Sequence, residues 1–137
     1  MAWSRLPLLF LLVMLLAGCP DSIPRKPTTD NLLADYAAAI RWNEFDKAVD
    51  FIDPAQRVAQ PLTDLERERF KQLQVTGYEV KDRDAGADGS ITQVVEIRLV
   101  NRNTQVERSF IDRQSWRFDP AAKRLWLTSG LPDFSQQ

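Results

Sequence analysis

The sequence contains no histidine and a single cysteine in 137 residues. Without histidine it lacks the commonest general base and the commonest metal ligand of proteins. Serine-triad and cysteine–histidine chemistry in their ordinary forms are therefore excluded. Because Cys19 has no second thiol to pair with, a disulfide framework within the chain is excluded as well.

An excess of charge of either sign is also missing, since 18 Lys and Arg side chains stand against 19 Asp and Glu side chains. The formal net charge of −1 gives no electrostatic reason to expect binding to nucleic acid. A chain of 137 residues is long enough for one domain and too short for two. Nothing in the composition calls for a cofactor, and we expect none.

What is present begins with a short apolar run near the N-terminus. Arg5 precedes residues 6–16, which are apolar throughout and interrupted only by Pro7. This run is far shorter than the ~20 residues that a helix needs to span a bilayer. A basic flank, a short apolar centre and a small-residue end are typical of a secretory signal peptide.

The run ends in the tetrapeptide Leu16-Ala17-Gly18-Cys19, which resembles the lipobox of bacterial lipoproteins at all four positions. The resemblance implies cleavage before Cys19, diacylglycerol on its sulfur, and acylation of the new amino group, for example by palmitate. Two or more acyl chains hold a protein on a membrane stably, whereas one chain is marginal. Two alternatives stay open: an ordinary cleaved signal with a coincidental cysteine, and a hydrophobic N-terminal anchor that is never cleaved.

These observations divide the chain into a lipoprotein signal peptide (1–18), a lipidated tether (19–30) and a globular domain (31–134). We expect the domain to be anchored to the cell envelope membrane and to face the periplasm. An aspartate directly after the cysteine would have indicated retention in the inner membrane. With Pro20 at that position, we favour the outer membrane.

Apolar residues at helical spacing predict three helices in the first half of the domain. The first starts at Thr29 or Asp30, the second covers Glu44–Ile52, and the third covers Asp64–Leu73. Thr63 and Glu66 have the spacing of a capping box at the start of the third helix. The apolar residues expected to face the core are Leu33, Tyr36, Ala37, Ile40, Phe45, Ala48, Val49, Ile52, Leu65, Phe70 and Leu73.

After residue 74 the apolar period changes to two, which predicts an antiparallel meander. Four strands are expected, at 75–82, 92–102, 104–118 and 124–129. Helices followed by such a meander predict an α+β domain, in which three helices pack on one face of a curved antiparallel sheet of about four strands.

This order of elements resembles the nuclear transport factor two-like superfamily, an α+β cone of cystatin-like type. The segment Asp35–Asp53 is similar to its opening helical hairpin, in which a small turn follows a Tyr- and Ala-rich helix. The resemblance implies either a binding or dimerisation module, or an enzyme such as a ketosteroid isomerase or polyketide cyclase. The superfamily often has six strands, whereas four are expected here.

An enzyme of that kind would need an acid–base group inside the cone. Asp112 lies on the apolar face of the third strand, and Tyr36 and Tyr78 are possible hydrogen-bond donors. A carboxylate in an apolar cavity has a raised pKa and can act as a general base. The alternative, which we favour, is a structural Asp112 at a strand edge or paired with Arg108 or Arg113.

Three acidic residues suggest a further hypothesis, a calcium site. Asp82, Asp84 and Asp88 could offer oxygen ligands to calcium, but Gln93 and Ala87 occupy the places where an EF-hand needs Glu and Gly. We therefore expect no metal site.

Three tryptophans of the domain, Trp42, Trp116 and Trp126, are expected to pack in the core or on the sheet. Exposure of Trp126 beside Phe134 would instead indicate a patch for a protein partner.

The functional prediction is a non-enzymatic, membrane-anchored periplasmic lipoprotein that acts as an interaction or small-ligand-binding module of the cell envelope. Its expected partners are the membrane, through the N-terminal lipid, and a protein or a second copy of the chain, through the sheet. Two alternatives are an isomerase- or cyclase-type enzyme with its acid–base carboxylate in an apolar pocket, and a dimerising structural subunit of an envelope assembly.

Overall fold

The computed structural model describes residues 28–135. Cys19, the signal peptide and the tether up to residue 27 lie outside the described residues, so the roles expected of them stay predictions. Between residues 28 and 135, helices precede a four-stranded antiparallel sheet, which confirms the predicted α+β class. No helix in this part of the chain has both the length and the apolar character needed to cross a membrane.

Four α-helices and one 3₁₀ helix are found in the first half of the described chain. Helix α1 is Thr29–Arg41, α2 is Phe45–Ala48 with a 3₁₀ continuation at Val49–Phe51, α3 is Pro54–Ala59, and α4 is Asp64–Lys71. The first and last helices match their predicted positions within two residues. The second is shorter than predicted, and α3 is additional.

Helix α3 forms where the sequence was expected only to end a helix. The Oδ1 atom of Asp53 accepts a hydrogen bond from the N–H of Ala55 at 3.0 Å, which makes Asp53 the N-cap of α3. Pro54 occupies the first turn, where its missing N–H costs no helical hydrogen bond. The Asp-Pro pair therefore ends one helical segment and begins the next.

The predicted capping box at the start of α4 is confirmed. The N–H of Glu66 donates to Thr63 Oγ1 at 3.3 Å, and the N–H of Thr63 donates to Glu66 Oε2 at 2.8 Å. Both bonds satisfy N–H groups that have no partner within the helix. Leu65, however, is 62% exposed rather than in the core, because α4 reaches the core through Phe70 in its last turn.

The sheet follows the predicted meander. Its strands are β1 (Leu73–Ala85), β2 (Ile91–Asn101), β3 (Glu107–Asp119) and β4 (Arg124–Leu127), in the order β1-β2-β3-β4. The register between β1 and β2 shifts at residues 76 and 81, which marks two β-bulges. Bulges bend a strand and increase its twist, so they curve this edge of the sheet.

One face of the sheet, here called the inner face, carries the buried residues and is covered by α1. Helix α1 buries Leu33, Tyr36, Ala39 and Ile40 against it. Ala37, which the periodicity had placed in the core, is only half-buried, and Ala39 takes that place. The buried apolar residues of the strands are Val75, Tyr78, Ile91, Val95, Ile97, Leu99, Trp116, Leu125 and Leu127.

Four phenylalanines form an aromatic cluster at one end of the inner face. Phe45 stacks on Phe70 with ring centroids 4.2 Å apart and an interplanar angle of 16°. Phe134, from the C-terminal tail, meets both rings at 6.1 Å and Phe110 of β3 at 5.5 Å, edge-on in each case. The tail after β4 therefore belongs to the core.

The tryptophans divide between the core and the surface. Trp116 is 2% exposed, as predicted, but Trp42 is 76% exposed, because it is the C-cap of α1 and extends beyond the helix. Trp126 is half-buried, with the Arg124 guanidinium carbon 3.8 Å from its ring centroid. Phe134 packs in the aromatic cluster, so the alternative of an exposed patch of Trp126 beside Phe134 does not form.

Candidate functional site

Polar side chains interrupt the apolar inner face next to α1. Gln93 of β2 and Gln114 of β3 are paired residues in the sheet, and Asp112 lies two residues from Gln114 on the same face. Together with Tyr78 of β1 and Tyr36 of α1 they form a group that we call the polar cluster. All five are less than 8% exposed. The three residues expected from the sequence, Tyr36, Tyr78 and Asp112, are thus brought together.

Gln114 is the centre of the hydrogen bonds in the polar cluster. Its side-chain N–H₂ donates to Asp112 Oδ2 at 2.7 Å and to Tyr78 Oη at 3.0 Å. Its Oε1 accepts from the side chain of Gln93 at 2.6 Å and from the indole N–H of Trp116 at 3.4 Å. One amide therefore uses both its donors and its acceptor to hold four neighbours.

Asp112 is the one acidic residue of the polar cluster. Burial raises its pKa, and the hydrogen bond from Gln114 opposes that shift. A buried carboxylate with a raised pKa suits either a structural acceptor or a proton-transfer group. The predicted pairing with Arg108 or Arg113 is not found, since neither forms a salt bridge among residues 28–135 and Asp112 is bound by Gln114.

Both tyrosines are held in their neutral form. The hydroxyl of Tyr36 is fully buried and has no hydrogen-bond partner among the described residues. Burial, followed by the charge of Asp112, raises its pKa well above the usual value. Its ring is fixed edge-on against Trp116 at 5.0 Å. Burial also raises the pKa of Tyr78, to about 12.

A surface groove adjoins the polar cluster, between α1 and β1. Its volume is about 690 Å³, within the usual range for small-molecule sites. Tyr78 and Gln93 belong to both the groove wall and the polar cluster, whereas Tyr36 and Asp112 are not among the lining residues. The groove is also lined by Asp30, Ala34, Arg41, Trp42, Glu79, Val80 and Arg83.

Charged and apolar side chains both line the groove. At one end the Arg83 guanidinium donates to Gln93 Oε1 at 3.1 Å and to Asp30 Oδ1 at 3.4 Å, which joins the polar cluster to the start of α1. At the other end lies Trp42, and Val80 on the β1 side is 40% exposed. The groove therefore combines an apolar surface with amide, hydroxyl and charged groups, the last including Arg41 and Glu79.

The free edge of β1 is covered where it approaches this groove. The Asn43 side chain donates to the Leu73 carbonyl at 2.7 Å and accepts from the Val75 N–H at 3.0 Å. The Arg41 guanidinium donates to the Tyr78 carbonyl at 3.0 Å. With the two bulges, these side chains protect the edge from pairing with another strand.

The acidic residues considered for calcium do not converge. Strand β1 runs through Ala85, past its predicted end, so Asp82 and Asp84 pair with β2 instead of lying in a loop. Asp88 accepts hydrogen bonds from the N–H and the hydroxyl of Ser90, at 3.0 and 2.6 Å, and these hold the turn. Within residues 28–135, no group of three His, Cys, Asp or Glu side chains is arranged to bind a metal ion.

Gln93 and Gln114 are the members of the site that sequence reasoning missed. Gln93 illustrates the reason. It occupies the inner face between Ile91 and Val95, where strict alternation predicts an apolar residue. A polar amide at such a position is the signal that could have identified it, because buried amides need partners. Gln114 occupies the corresponding place beside Trp116 in β3.

Comparisons with known proteins bear on the fold. No protein-family model matches the sequence, and no match is found among the curated proteins. The fold is similar to the solution structure of a SEC-C motif-containing protein from Rhodopseudomonas palustris. The TM-score is 0.58 at 20% identity, over 74% of this chain and 76% of that chain. At this identity the likeness concerns the fold alone.

Proposed function

We propose that this protein is a lipoprotein anchored through Cys19, whose periplasmic domain binds a small molecule or a short segment of a partner in the groove between α1 and β1. The lipobox supports the anchor, and the outer membrane is the favoured site. The observation that carries the binding role is that Tyr78 and Gln93 line the groove while being fixed from behind by Gln114. Polar groups held in this way orient a ligand at low entropic cost.

We also propose the finer fold assignment, a cone-like sheet covered by N-terminal helices, as in the nuclear transport factor two-like superfamily. The bulges at residues 76 and 81 support it, because they curve β1 around the inner face. Helix α1 packs within that curve and buries Tyr36 and Ile40.

Binding is favoured over isomerase- or cyclase-type catalysis. A general base has to come within about 3 Å of the proton that it removes. Asp112 is bonded to Gln114 and, unlike Tyr78 and Gln93, it is not among the groove-lining residues. A substrate in the groove would meet Tyr78 and Gln93 instead. The covered edge of β1 likewise speaks against a subunit that dimerises by pairing of strand edges.

A filling substitution in the groove tests the binding role. Ala34 is exposed and lines the groove, so Ala34→Leu narrows it while keeping a good helix former. We expect fragments from a soluble compound library to shift the amide resonances of Tyr78 and Gln93 in the mature chain. Ala34→Leu should weaken those fragments roughly tenfold.

Ala55→Leu is the matched control, because Ala55 is an exposed helical alanine of α3 outside the groove lining. It should leave fragment binding unchanged. Equal weakening by both substitutions, or no fragment that shifts Tyr78 and Gln93, would contradict the groove as the binding site.

The anchor is tested separately by mass spectrometry of the mature protein. A chain that begins at Cys19 and carries diacylglycerol and an additional acyl chain is expected. Cys19→Ser should abolish both the lipid mass and the association with membranes. An unmodified Cys19, or a chain that still begins at Met1, would refute the lipoprotein assignment. It would not contradict ligand binding in the groove.

A further inference from the structure

A second pocket, separate from the groove, lies where α2, α4 and the β2–β3 turn meet. Its volume is about 400 Å³. Phe45 and Phe70 belong to its lining, together with the cationic side chains of Arg67, Lys71 and Arg102. We call it the cationic pocket. None of its lining residues lines the groove.

The apolar part of the cationic pocket is preformed. Phe45 is 5% exposed and stacks on Phe70 at 4.2 Å, and the aromatic cluster supports both rings from behind. A rigid aromatic surface of this kind packs against flat or aliphatic groups without having to rearrange. It therefore favours a ligand with an apolar body.

The charged part of the pocket has an excess of cations. Asp46 is the one carboxylate in the lining, and Arg67 already binds it. Arg102 donates through Nε to the Leu73 carbonyl at 3.3 Å and has no salt bridge with any of residues 28–135. Its remaining guanidinium N–H groups can serve an oxyanion, which guanidinium binds in a two-pronged fashion.

Lys71 supplies a second donor. Its ammonium group pairs with Glu68 at 2.6 Å, and the side chains are 70% and 64% exposed. An exposed pair three residues apart on a helix contributes only about 0.2–0.5 kcal/mol, so an incoming anion can displace Glu68. Lys71 and Arg102 reach the pocket from different elements, α4 and the turn after β2.

We propose that the cationic pocket binds a small amphiphilic anion, a carboxylate or phosphate monoester carried on an aromatic or aliphatic body. The oxyanion contacts Arg102 and Lys71, and the apolar body packs on Phe45 and Phe70. Asp46 is paired with Arg67, so it leaves Arg102 and Lys71 available to the oxyanion.

The test is isothermal titration of the full mature chain with phenyl phosphate and phenylacetate, which carry the two oxyanions on the same ring. Either or both should bind saturably and roughly tenfold tighter than inorganic phosphate or acetate, because the ring adds apolar contact. Preference for one of the two identifies the oxyanion. Benzyl alcohol, which keeps the ring without the charge, should bind at least about tenfold more weakly.

Arg102→Gln and Lys71→Gln should each weaken the preferred anion roughly fivefold or more, with unchanged thermal unfolding. Arg69→Gln is the matched control, because Arg69 is an exposed cation of α4 outside the pocket lining. It should change binding by less than about twofold. Equal weakening by all three variants would show non-specific attraction and overturn the proposal.

Ring resonances of Phe45 and Phe70 in the unmutated chain give a readout that does not depend on how well the variants fold. They should shift on addition of the preferred anion. Shifts confined to Trp42 and the groove, benzyl alcohol binding as tightly as the anions, or no saturation up to about 10 mM would each overturn the proposal. The two sites share no lining residue, so the absence of anion binding in the cationic pocket would not contradict ligand binding in the groove.

Discussion

Two regions of the inner face are packed by different chemistry. At one end the aromatic cluster of Phe45, Phe70, Phe110 and Phe134 fills the space with rings. Further along the face, between Phe110 and Trp116 of β3, the polar cluster fills it with amides, tyrosines and a carboxylate, and Gln114 is hydrogen-bonded to Gln93, Tyr78 and Asp112. The aromatic end needs only shape, whereas the polar cluster needs its hydrogen-bond partners in place, and it is the polar cluster that adjoins the groove.

The largest expected effect is a loss of folding stability on truncation of a ring at the aromatic end. Phe45→Ala removes a buried ring that stacks on Phe70, and the rigid surroundings will not close the cavity completely. We expect a loss of roughly 3–5 kcal/mol in the free energy of unfolding, measured by urea denaturation. Trp42→Ala, an aromatic truncation at a 76% exposed position, should cost far less. Similar losses in the two variants would mean that the aromatic end is not the rigid part.

The next largest effect is expected on removal of the central amide of the polar cluster. Gln114→Ala leaves the Asp112 carboxylate and the Gln93 amide without their partner. Unsatisfied buried polar groups should lower the free energy of unfolding by about 2–3 kcal/mol. Gln105→Ala, on an exposed turn residue, is the control. A loss below about 0.5 kcal/mol would indicate that water replaces Gln114 and that the cluster does not fix Tyr78 and Gln93.

A smaller effect, with a defined pH dependence, is expected at Asp112. Since burial raises the pKa of Asp112 in the folded state, the folded protein holds this proton more tightly than the unfolded chain. The resulting stabilisation is fully present below the unfolded pKa, and it is lost as the pH rises through the folded pKa.

Asp112→Asn cannot ionise, so its stability does not fall as the pH rises through the folded pKa of Asp112. Its side-chain oxygen still accepts the hydrogen bond from Gln114. Compared with the unmutated protein, it should be similar in stability near pH 3 and more stable at pH 7. Thermal unfolding across this range measures the difference. A variant that is destabilised more at pH 7 than near pH 3 would show instead that the carboxylate is stabilised by a partner when charged.

The smallest effect on the free energy of unfolding is expected at Tyr36, and it is compared with the effect at Tyr78. Its hydroxyl has no partner among residues 28–135, so Tyr36→Phe removes a buried polar group and keeps the ring contact with Trp116. We expect a gain of up to about 1 kcal/mol in unfolding free energy. Tyr78→Phe should instead destabilise, because the Tyr78 hydroxyl is bonded to Gln114. A clear loss in Tyr36→Phe would indicate an internal water bonded to Tyr36.

The strand faces were predictable because alternation is a local property. The sequence periodicity correctly assigns Ile91, Val95 and Ile97 to one face of β2 and Trp116 to the inner face of β3. The capping box at Thr63 was predictable for the same reason. Positions that depend on distant segments were not. Trp42 is apolar and adjacent to α1, but no segment from elsewhere in the described chain covers it.

The candidate site divides in the same way. Placing Asp112 on an apolar strand face needs only the period of two, and the sequence supplied it. The amides around it were not predicted: Gln93 and Gln114 meet Asp112 and Tyr78 only because β1, β2 and β3 pair in one register. That register includes two bulges in β1, at residues 76 and 81.

The sequence by itself determined the α+β class and the alternation along the strands, and it predicts the lipobox around Cys19, because each depends on residues close together in the chain. Tertiary structure alone decided that Tyr36 and Asp112 lie behind the groove while Tyr78 and Gln93 line it. It also decided that Phe134 closes the aromatic cluster. The physical reason is that burial and hydrogen-bond partners depend on which distant segments share a volume, and local patterns do not encode that.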